Sequence, residues 1–164
     1  MTTTSMVPAL RPALLLILAL ITCAEGHAQD APRCPVDPAR TAVLPFEGTL
    51  LPGTEVRPAA APTQDDLQAA ECLLADRVAQ WNAFESYSKD LTIHDTRDYY
   101  RQYCALVNTA GHRLLYLNAF CGTWHLSRWK AQWIMVEDGG TCYFQSLIDL
   151  TSRKVLMFSV NGVG

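Results

Sequence analysis

Apolar and polar positions change rhythm along this chain. Between Thr63 and Phe84, Leu67, Ala70, Leu74, Val78 and Trp81 recur at spacings of three and four. That stripe predicts a helix over about 64–84. Thr63 suits the N-cap, and Asp65 and Asp66 fall in the first turn, where the helix dipole favours negative charge. Cys72 lies off the stripe, where it suits a bridge to a covering segment such as the one holding Cys34.

Beyond Asp90 the period becomes two. Tyr99 to Val107 is rich in aromatic and β-preferring residues, Asn108-Thr109-Ala110-Gly111 turns the chain, and Leu114 to Cys121 returns as the second arm of a hairpin. Gly122 to Gln132 reads as a loop and Trp133-Ile134-Met135-Val136 as a third strand. Glu137-Asp138-Gly139-Gly140 makes a tight connection whose glycines tolerate positive φ. Cys142 to Leu150 and Val155 to Val160 then form a closing pair around Thr151 to Lys154, with Leu156, Phe158 and Val160 expected on the core face. One long helix followed by an antiparallel meander of four to five strands is an α+β architecture. A helix packed across a curved sheet, as in cystatin-like or NTF2-like folds, is the expected form.

The first 62 residues follow neither rhythm. Arg11 precedes an unbroken apolar run, Pro12 to Ile21, and small or polar residues follow it. This is the three-part layout of a secretory signal, with the apolar part too short for a membrane span. Gly26-His27-Ala28 places small residues at −3 and −1, so residues 1–28 are expected to be removed, leaving 136 of 164. Thr22 is a poor residue to precede a lipidated cysteine, which disfavours a lipid anchor at Cys23. No membrane span is expected after cleavage, and the product is expected in the periplasm or outside the cell. Residues 29–62 contain seven prolines and are expected to form an extended lead-in to a domain at 63–164.

Export changes how the cysteines are read. Five remain after cleavage, Cys34, Cys72, Cys104, Cys121 and Cys142. In an oxidising compartment they predict up to two bridges and one thiol, with fifteen arrangements open. No Cys-x-x-Cys or paired-histidine spacing suggests zinc, so neither metal nor cofactor is expected. The net charge is −3, and no basic run exceeds two residues, which argues against nucleic-acid binding.

Candidate chemistry is sparse. His94-Asp95, with Asp98 nearby, has the composition of a carboxylate-oriented base, but the position suits turn and capping use. His112 falls in the hairpin turn and is expected to be solvated, and Glu137 and Asp138 serve the next turn. No Gly-x-Ser-x-Gly occurs. The segment 122–133 holds three of four tryptophans with Arg128 and Lys130. Trp and Arg commonly anchor interfaces, which makes Trp124, His125, Arg128 and Trp129 candidate partner-binding residues. The competing use is for Trp129 and Trp133 to cover the core.

The chain from Tyr99 onward resembles a group of small exported bacterial proteins, mostly uncharacterised. The resemblance is carried by Tyr100-Arg101-Gln102-Tyr103, Asn118-Ala119-Phe120-Cys121, Asp138-Gly139-Gly140, Cys142-Tyr143-Phe144, Asp149-Leu150, Lys154 and Asn161-Gly162. It covers under half the chain and implies fold and export without bringing any catalytic residue. The function expected is that of a non-enzymatic exported module binding another exported or envelope protein, inhibitor- or immunity-like. The alternative is a small-ligand binder or small enzyme using a pocket between helix and sheet, lined by Tyr99, Tyr103, His94 or Asp95.

Overall fold

A computed structural model describes residues 34–84, 92–123 and 127–162. The segment 1–28 expected to be a secretory signal, with Cys23, and the residues Trp124 and His125 lie outside the described residues. The architecture is α+β, one helix and a six-stranded mixed sheet. In chain order the elements are β1 (Thr41–Val43), β2 (Val56–Pro58), α1 (Gln64–Phe84), β3 (Tyr100–Asn108), β4 (Arg113–Phe120), β5 (Tyr143–Asp149) and β6 (Lys154–Val160).

Helix α1 starts where its capping residues dictate. Thr63 Oγ1 accepts the Asp66 N–H at 3.1 Å, and Asp66 Oδ2 accepts the Thr63 N–H at 2.9 Å, a reciprocal capping box. Asp66 also pairs with Arg113 Nη2 at 2.8 Å, which ties the helix start to the head of β4. At the far end, Asn82 exchanges two hydrogen bonds with the Ile93 backbone. The predicted stripe faces the sheet: Leu67, Ala70, Leu74 and Val78 are buried and Trp81 packs beside them.

Strands β3 to β6 form the antiparallel meander. The proline-rich segment supplies strands too. β1 runs parallel to β3 opposite Arg101–Tyr103, and β2 antiparallel opposite Leu106–Asn108, so both lie along the same margin of β3. Prolines 45, 52 and 58 fall outside these strands or at their last residue, which is where a missing N–H is tolerated. The Cys34–Cys72 bridge fastens this segment to α1, and Cys121–Cys142 joins the end of β4 to the start of β5.

Both faces of the sheet are covered. On the helix side Tyr103, Ala105, Leu115, Leu117, Phe144 and Ile148 pack against α1. On the other side Cys104, Leu106, Leu114, Tyr116 and Leu147 meet Leu44, Leu50, Leu51 and Trp133. A third cluster at one end joins Ala42, Phe120 and Trp129.

Two expectations are corrected. Trp133–Val136 is not a strand. The position beside β4 belongs to β5, and this run lies across the sheet face with its main chain bound by side-chain amides. Nor do Leu156, Phe158 and Val160 share one face. A bulge opposite Leu147/Ile148 pairs Ile148 with Val155 and Leu147 with Met157, so Leu156 is left over and stands 52% exposed. Phe158, Val160 and Val155 keep the core side. At the β5 approach Gly139 has φ 100°, and a Cβ there would sit 2.5 Å from the Tyr143 ring.

Candidate interaction edge of the sheet

The two margins of the sheet are treated differently. β1 and β2 line the outer side of β3, whereas no described strand pairs with the outer side of β6. The Asn161 N–H donates to Tyr143 O at 3.0 Å, and Met157 O accepts from Ser146 Oγ at 2.9 Å, so residues of this parity address β5. Alternation along an antiparallel strand then turns the N–H and C=O of Phe158 and Val160 outward. An unpaired margin with outward amides is a template for another strand.

Beside this margin runs a groove of about 540 Å³ between α1 and β6, lined by Leu73, Asp76, Arg77 and Gln80 from the helix and by Arg153 to Phe158. Its floor is aromatic: the Phe158 ring lies tilted at 5.6 Å from Trp81, and Arg77 lies 5.2 Å over the Phe158 ring. Three bases and one acid line it, in a chain whose net charge is −3. Among the described residues Arg153 and Lys154 make no ion pair.

Other polar clusters are occupied with holding the fold. Asp149 is 3% exposed, and its oxygens take the Ser152 N–H at 2.9 Å and His112 Nδ1 at 2.7 Å. Burial acts to raise its pKa, but the Ser152 backbone bond and the His112 contact outweigh it and hold the value at about 2. His112, its side chain 39% exposed, also fastens the β3–β4 turn to the end of β5. None of the cavities described here includes it. His94 is exposed, and Asp95 caps a short 3-10 turn, accepting the Arg97 N–H at 2.9 Å.

Beneath α1, Glu71 accepts a hydrogen bond from the Tyr103 hydroxyl and sits 2.5 Å from Arg101 Nε. That N–H is not aimed at the carboxylate, so the contact is ionic and not an aligned hydrogen bond. The Arg101 Nη atoms donate to Tyr99 O and Thr96 O at 2.7 Å each. Glu71 and Arg101 form part of the wall of a cavity of about 380 Å³ closed by Cys34 to Thr41 and Thr96-Arg97. Of the residues expected to line a pocket between helix and sheet, Tyr99, Tyr103, His94 and Asp95, none lines this one.

Of the expected partner-binding set, Arg128 is exposed, while Trp129 is 8% exposed and packs edge-on to Tyr100 and Phe120 at 5.1 and 5.9 Å. Trp129 therefore covers the core, as does Trp133, whose indole N–H donates to Pro45 O at 2.8 Å. Among the described residues Cys104 is the free cysteine, its thiol pushed up to about 12 by burial. Among the described residues, no three His, Cys, Asp or Glu side chains converge as a metal site, and no helix is long and apolar enough to cross a membrane.

Sequence reasoning passed over the β6 margin because its signal is a register shift. It also passed over a row of amides, buried Gln102 and Asn118 and half-buried Gln145. Each is an amide in a strand with an apolar or aromatic residue beside it, the one signal that could have exposed them. No protein family, curated protein or solved structure matches the chain.

Proposed function

We propose that this chain is an exported, disulfide-braced domain that binds another exported or envelope protein through the open margin of its sheet, as an inhibitor or immunity partner would. The observation that carries this is the asymmetry of the sheet: both faces and the β3 margin are covered, while β6 keeps outward amides and an exposed Leu156 beside a cationic groove. Two disulfides fit an oxidising compartment. The test is in-cell cross-linking of the tagged full chain, with fractionation and N-terminal sequencing. A product starting at Gln29 in the envelope fraction, joined to one partner in stoichiometric amount, is the expected result. A product retaining Met1 in the cytoplasm, or cross-linked to nothing, overturns the proposal.

A second reading, a small-ligand binder, is favoured by the 380 Å³ cavity with the Arg101–Glu71 pair in its wall. It requires calorimetric binding of a small polar ligand that a filling substitution, Ala75→Leu, removes.

A further inference from the structure

We infer that the β6 margin takes an extended, acidic segment of the partner as an added strand; this rests on the protein-binding role proposed above. Three observations set the occupant's chemistry. The first is backbone geometry: the outward N–H and C=O groups of Phe158 and Val160 are two residues apart, the repeat at which an adjacent strand presents its own groups. A helix, whose main-chain groups bond internally, leaves them unsatisfied. The second is shape, since Leu156, lifted out by the bulge, stands beside a groove floored by Phe158. An alternating strand can seat every second apolar side chain there.

The third is charge. Arg77, Arg153 and Lys154 face one another across the groove with Asp76 as the one acid in its lining. The molecule as a whole is acidic at −3, so the patch opposes the global field. Carboxylates on the outer positions of an added strand complement it. A second copy of this chain does not, because its own β6, Lys154–Val160, contains a lysine and no carboxylate.

The experiment uses the purified protein and three fluorescein-labelled octapeptides: an alternating Glu/Val peptide, its Lys/Val counterpart, and the acidic peptide with alternate amides N-methylated. Anisotropy should show the acidic peptide binding at least about tenfold more tightly than the basic one, with the preference weakening as salt rises. N-methylation should abolish binding, and amide exchange at Phe158 and Val160 should slow on addition of the acidic peptide. Arg153→Glu with Lys154→Glu, both exposed, should reverse the preference while the melting temperature stays unchanged. Equal binding of the two charged peptides, indifference to N-methylation, or protection confined to other strands overturns the inference. So does a dimer in sedimentation that Leu156→Lys dissolves. A photo-cross-linker at Leu156 and another at Val43, 45% exposed on β1 at the opposite end of the strand order, separate the two failures. A partner captured only from Val43 leaves a binding protein with the wrong site assigned, whereas capture from neither position removes the protein-binding role itself.

Discussion

Glu71 and Arg101 are each less than a tenth exposed and face each other beneath α1. A buried pair of this kind contributes less than its attraction suggests, yet stranding one member is costly. Glu71→Ala should therefore cost about 3–5 kcal/mol in urea unfolding, and Glu71→Leu combined with Arg101→Met should recover most of it. Asp149 carries the acid response. Its folded pKa of about 2 lies below the usual 3.8, so its stabilisation is full above pH 4 and drains away as pH falls toward 2. Asp149→Asn should flatten the decline of melting temperature over that window while lowering stability at neutral pH. Cys104 should resist a thiol reagent in the native protein and react once per chain after denaturation, as its burial and raised pKa require. None of these three roles is legible from residue type. A glutamate on a helix, an aspartate at a strand end and a cysteine in a strand have ordinary alternatives until their spatial neighbours are known.

At the scale of elements, legibility follows the source of the hydrogen bonds. Thr63 and the stripe from Leu67 to Trp81 make α1 readable, because cap and stripe are local in sequence and the helix bonds within itself. The β3–β4 hairpin is readable for the same reason. The run Trp133–Val136 is not, because the main chain there is satisfied by distant side chains. Gln102 Nε2 donates to Gln132 O at 2.6 Å, Gln102 Oε1 accepts from Ile134 N–H at 2.9 Å, and Asn118 Nδ2 donates to Ile134 O at 2.8 Å. Gln145 and Asn161 continue the row toward Val136 and Asp138. A four-residue apolar run such as 133–136 then imitates a strand. Asn118→Leu should leave the meander intact but release this segment, seen as faster exchange at the Ile134 amide and a red shift of Trp133 fluorescence. The bridges act on separate elements as well. Removing Cys34–Cys72 or Cys121–Cys142, whose sequence separations are 38 and 21, should each cost about 3–4 kcal/mol on the chain-entropy account. The first loss should loosen β1 and β2, and the second the approach to β5.

For the whole molecule, the chain's last strand belongs to its interior. Val155, Phe158 and Val160 pack on the helix-side core, and Met157 on the opposite one. Deleting residues 155–164 should therefore abolish cooperative thermal unfolding, read by calorimetry. A sheet bounded on one side by two tethered strands of 3 residues each and on the other by β6, of 7 residues, has its longest margin unpaired among the described residues at β6. That asymmetry appears only once the register of β6 on β5 is known, since the run Val155 to Val160 alternates as readily for a covered strand as for an open one.

The positions of the bridges also bear on how the covalent framework is assembled. If the chain is exported as proposed and its thiols oxidise in the order in which they emerge, Cys34 joins Cys72 correctly, but Cys104 is next and Cys121 follows it. The native arrangement skips Cys104. Correct maturation thus depends on the β3–β4 hairpin sequestering that sulfur before Cys121 seeks a mate, or on an isomerase that undoes the premature 104–121 link.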